Sequence, residues 1–121
     1  MPSAPEPQKS VVVIIRRAPM GSDRAAEALR VALGQTLASN VVTALFIDDG
    51  VWGARPLRPE LVRGPEFSKP IEFLLEAGHR LVADAESLAA REIHAVRPGV
   101  DVKPRREVIG LITAADAVIV Y

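Results

Sequence analysis

Two arginines stand together at Arg16–Arg17, directly after an apolar run, and Gly21-Ser22 follows shortly. Paired guanidiniums beside the free N–H groups of a starting helix are the chemistry that holds phosphate, sulfate or a carboxylate. A competing reading has Arg16 and Arg17 pairing with Asp48 and Asp49 across adjacent strand ends. The Asp48-Asp49-Gly50 cluster closes a second apolar run. Two adjacent carboxylates with no third oxygen ligand in view suit a strand-end turn better than a hard metal. Asp84 and Glu86 follow a third run in the same way. His79 and His94 stand alone, with no carboxylate or histidine at ligand spacing. Ser22, Ser68 and Ser87 have no histidine–acid arrangement nearby in sequence. The stretch around Gly21 is neither GxGxxG nor a P-loop. The residues therefore point to no catalytic group, no metal site and no cofactor. Trp52, just after the DDG cluster, is either an anchor on the core or an interface side chain, a role in which tryptophan is favoured.

These residues need a frame, and the apolar pattern supplies one. Val11–Ile15 (VVVII) is β-branched throughout, as in a strand covered on both faces. Asp23–Ser39 carries apolar residues at helical spacing, with Ser22 as its expected cap. Val41–Ile47 predicts a second strand. Residues 52–66 hold three prolines and two glycines without a period and read as a long loop, with a helical turn near Pro59–Val62. Pro70–Ala77 predicts a helix ending near Gly78, Leu81–Ala83 a third strand, and Glu86–Glu92 a short helix. Val100–Val102 predicts a fourth strand, Pro104–Ala115 a helix, and Ala117–Tyr121 a final strand. Alternating strands and helices imply a three-layer α/β/α fold around a mostly parallel five-stranded sheet. In such a sheet ligands collect at the carboxyl ends of the strands, where the arginines and aspartates above all fall.

The chain has 121 residues and 13.0 kDa, room for one domain over residues 11–121 behind a proline-rich tail, residues 1–10, that is expected to be disordered. Acidic and basic residues cancel at fifteen each, which argues against bulk-charge binding of nucleic acid or an acidic membrane. The tail lacks the pattern of a signal peptide and no apolar run approaches membrane-spanning length, so the expected compartment is the cytoplasm. There is no cysteine. That excludes disulfides, zinc–thiolate and iron–sulfur sites, and any thiol nucleophile on this chain.

RRAPMGS (Arg16–Ser22), LFIDDGVW (Leu45–Trp52) and ADAESLAAR (Ala83–Arg91) occur in the order seen in the DsrE/DsrF-like family. The sequence most resembles its TusC/DsrF branch, with its "RRAPYGS" turn, "FxDDGVY" strand end and "ESLxxRG" segment. Met20 and Trp52 stand where that branch commonly has tyrosine, and Glu92 where it has glycine. The resemblance implies a small α/β protein of sulfur-relay assemblies, serving 2-thiouridine formation in tRNA or cytoplasmic sulfur oxidation. In that family some members carry sulfur as a cysteine persulfide and others associate with them.

Two functions follow as expectations. The first is a non-catalytic, cysteine-free subunit that binds itself or cysteine-bearing DsrE-like sister subunits, with no direct nucleic-acid or membrane contact. Trp52 and Phe73 are its candidate interface residues, with Leu74 and Leu88 beside them. The second is a stand-alone homo-oligomer binding a small anion or nucleotide through Arg16, Arg17, Gly21 and Ser22.

Overall fold

The computed structural model describes residues 8–19, 24–56 and 64–121, with side chains of the last segment from residue 69. Strand β1 (Ser10–Ile15) leads to helix α1 (Arg24–Thr36) and strand β2 (Val41–Phe46). A 3-10 helix (Asp48–Ala54), helix α2 (Gly64–Glu76), strand β3 (Arg80–Asp84) and helix α3 (Ala85–Ala90) follow. Strand β4 (Val100–Lys103), helix α4 (Arg105–Ala114) and strand β5 (Ala117–Val120) complete the chain.

All five strands are parallel, in the order β4-β3-β2-β1-β5. The steps from β1 to β4 each move one strand outward, and the last connection returns past β1 to the opposite edge. A right-handed crossover that reverses direction places its helix on the other face. The core divides accordingly. Val11, Val13 and Ile15 face the same way as Val42, Ala44, Phe46, Leu81 and Ala83, and pack against Ala25, Ala28, Leu29 and Ala32 of α1, Ile71 and Leu74 of α2, and Leu88 of α3. The alternate residues Val12, Ile14, Leu45 and Val82 meet Val108 of α4, with Leu111 and Ile112 half-buried beside it. The unbroken apolar run of β1 thus has its cause, since both of its faces are covered. Each fully buried side chain of this kind contributes about 1.5–3 kcal/mol relative to exposure.

Two boundaries depart from the sequence reading. The 3-10 helix and α2 take up the two ends of the expected loop 52–66, residues 52–54 and 64–66, and α2 starts at Gly64 with Pro70 inside it. Proline ordinarily marks a first turn because it has no N–H to give. Here Ile71 and Leu74 anchor the helix on the core from beyond the proline, and packing outweighs the missing bond. Helix α1 ends at Thr36, three residues early, where the Thr36 hydroxyl turns back to the carbonyl of Leu33 (2.6 Å). The expected turn near Pro59–Val62 lies outside the described residues.

Candidate functional site at the strand ends

The carboxyl ends of β1, β2 and β3 lie side by side, and the charged residues after them form one connected set. At its centre is Asp84, the last residue of β3 and wholly buried. One carboxylate oxygen, Oδ2, accepts hydrogen bonds from the backbone N–H of Ser87 (3.0 Å), the Ser87 hydroxyl (2.6 Å) and Arg105 Nη2 (2.6 Å). Arg105 Nε reaches both carboxylate oxygens, at 3.2 and 3.1 Å. Burial pushes the Asp84 carboxyl up, but the Arg105 guanidinium and the Ser87 hydroxyl and N–H outweigh it and hold the group below its ordinary value. Asp84 also caps α3, so one carboxylate ends a strand, starts a helix and tethers the first residue of α4.

Ser87 passes the connection on. Its oxygen accepts from the backbone N–H of Asp48 (2.9 Å), at the start of the 3-10 helix. Asp48 sits at φ +50°, in the left-handed region, where aspartate is tolerated better than most residues. Arg16 Nε meets Asp48 Oδ2 at 3.4 Å, with both side chains about half exposed. Asp49 pairs with Arg91 of the residue run after α3, at 3.0 Å, and Arg91 Nη1 also donates to the carbonyl of Ser87 (3.2 Å).

Arg16 and Asp48 do come together across adjacent strand ends. Arg17 does not join Asp49; it is exposed, and Asp49 turns instead towards α3 because the 3-10 helix carries it that way. Gly21 and Ser22 lie outside the described residues. Asp48, Asp49 and Gly50 open the 3-10 helix, with the Gly50 N–H donating to the carbonyl of Ile47 (2.8 Å). Gly50 is required there, because a Cβ would sit 1.8 Å from the carbonyl oxygen of Ile15. Trp52 is half-buried against the core with the Arg55 guanidinium 4.8 Å above its ring. Phe73 lies 53% exposed on α2, whereas Leu74 and Leu88 are core residues and not interface candidates. His79 accepts from the N–H of Val42 (3.2 Å) at the opposite end of the sheet.

The reading missed Arg105, and it missed that Asp84 and Ser87 act together. One signal was present. Asp84-Ala85-Glu86-Ser87 is an acid directly after an apolar strand with a hydroxyl three residues on, the spacing of a helix cap. Arg105-Arg106 at the start of α4 is another, since cations disfavour a helix N-terminus unless an acid compensates. Chemically the cluster is self-satisfied. The Ser87 hydroxyl is buried and gives its proton to a carboxylate, so it is not presented as a nucleophile. Among the described residues no three histidine, aspartate or glutamate side chains gather to hold a metal. No described helix is long and apolar enough to cross a membrane.

The five-stranded parallel α/β fold is shared with known proteins. The DsrE/DsrF-like family profile matches residues 9–121, and the chain belongs to that family. Among solved structures it is similar to the YchN protein of E. coli, at a TM-score of 0.78 and 22% identity, covering 94% of this chain and 99% of that one. At that identity the likeness shows the fold. No curated protein sequence matches the chain.

Proposed function

We propose that this chain is a non-catalytic subunit of the TusC/DsrF kind in an oligomeric sulfur-relay assembly of the cytoplasm, docked on cysteine-bearing DsrE-like sister chains. One observation carries the reading: a DsrE/DsrF-like chain of 121 residues that contains no cysteine. In a persulfide relay a thiolate attacks the terminal sulfur, the S–S bond breaks, and the donor cysteine leaves as a thiolate. A serine hydroxyl does not replace that group, being far less acidic and far less nucleophilic towards sulfur. What the chain contributes is surface, and Phe73, an exposed aromatic on α2, supports docking there. Trp52 lies half-buried beneath Arg55 in the 3-10 helix that follows β2.

The test is binding. Immobilised chain is offered a purified cysteine-bearing DsrE-like protein from the same host, and retention is expected. Phe73→Asp should weaken that binding about tenfold or more, the scale of an interface anchor, with an unchanged circular dichroism spectrum. Equal binding by the variant would remove α2 as the docking face; no retention of any such partner would overturn the reading.

A further inference from the structure

Strand β4 has β3 on one side and, among the described residues, no strand on the other. Its sequence is Val100-Asp101-Val102-Lys103, and Pro104 stops it. Val102 shares a face with Ala83 by register, is 47% exposed, and lines an open groove of about 420 Å3 with Leu88, Ala89, Ile93, His94 and Val96. Asp101 and Lys103 point to the other face. Neither has an ion-pair partner among the described residues; Asp84, which lies in register with Lys103, gives its carboxylate to Arg105. An edge strand thus carries an apolar side chain beside an apolar groove, and two opposite charges two residues apart with nothing to meet.

We propose that two copies of this chain pair antiparallel through β4 about a two-fold axis, Asp101 of each opposite Lys103 of the other. Register selects this arrangement. Pairings that keep the two sheet faces continuous centre on residue 100, 101, 102 or 103, because a one-residue slip sends side chains to the wrong face, and centring on 100 sets Asp101 against Gly99. Centring on 101 sets aspartate against aspartate, and centring on 103 sets lysine against lysine. Centring on 102 alone matches opposite charges, twice by symmetry, and brings the two Val102 side chains together where each groove opens. Lys103 and Pro104 are the residues that ordinarily blunt an edge against indiscriminate pairing. Here they leave one register open. The opposite edge, β5, has no charged residue to set a register. The contact needs no sister subunit, so it stands or falls separately from the relay reading.

The absence of native cysteine makes the test clean. Directly opposed residues of an antiparallel pair lie about 4.5–5.5 Å apart at Cα, within disulfide range. Val102→Cys, oxidised with diamide at micromolar concentration, should give a covalent dimer much faster than Val120→Cys on β5. Adding Asp101→Lys to Val102→Cys should slow that crosslinking about tenfold or more, and adding Asp101→Lys with Lys103→Asp should restore it. Equal crosslinking at the two positions, or a charge swap that restores nothing, would overturn the proposal. Light scattering on the cysteine-free chain supplies the second reading. Dimer mass, lowered by Asp101→Lys and unaffected by Val120→Lys, supports the contact; a monomer at tens of micromolar refutes it.

Discussion

Burial alone would raise the cost of an ionised Asp84, and it is the Arg105 guanidinium, with the Ser87 hydroxyl and N–H, that reverses the balance. A carboxyl held below its unfolded value, about 3.9, adds stability that is fully present above that pH. The contribution is lost as pH falls through the lower folded value. Asp84→Asn should therefore destabilise the protein by about 2 kcal/mol at pH 7, the scale of hydrogen bonds to a charged group. The gap between wild type and variant should stay level down to about pH 5 and close below pH 4. Urea melts at pH 7, 5, 4 and 3 measure it, and a gap that widens in acid would contradict the assignment. The Arg16–Asp48 pair, half exposed on both sides, belongs to the class of surface ion pairs that contribute little. Of these residues the sequence made Arg16 and Asp48 legible, because both follow apolar runs. Arg105 was hidden, since it lies 21 residues from Asp84 and only the fold closes that distance.

The elements show why some of the chain reads easily and some does not. Strands buried on both faces, such as VVVII, leave a continuous apolar signature, and the strands fall within a residue or two of their expected bounds. Asp48–Ala54 leaves none, because a short 3-10 helix has no amphipathic period to detect. Its geometry instead rests on Gly50, whose absent side chain lets the 3-10 helix close against the β1 backbone. Gly50→Ala should cost about 3 kcal/mol in a thermal or denaturant melt, since backbone must move to admit the methyl group. The end of α3 offers the reverse change. Glu92 stands at φ +54°, just past the helix, where the TusC/DsrF pattern has glycine. A left-handed conformation strains a residue with a Cβ, so Glu92→Gly should stabilise the protein by roughly 1 kcal/mol in the same melts. A loss of stability there would mean that the Glu92 side chain contributes a contact worth more than the strain.

At the scale of the whole molecule the fold and the family agree: five parallel strands, α4 on the face opposite α1, α2 and α3 among the described residues, and a family match over residues 9–121. What the fold brings to the strand ends is a buried carboxylate capped by arginine and serine, a cluster that ties the 3-10 helix, β3, α3 and α4 together. It braces a surface, and the chain has no thiol to place on it. On the proposed reading, the function of such a subunit lies in what it holds. Recovery of the tagged chain from its own host under gentle conditions, with native mass spectrometry of the eluate, tests that claim most directly. The account predicts a complex in fixed stoichiometry with a cysteine-bearing α/β chain of similar size. Recovery of this chain alone, as a monomer or only with itself, would contradict it.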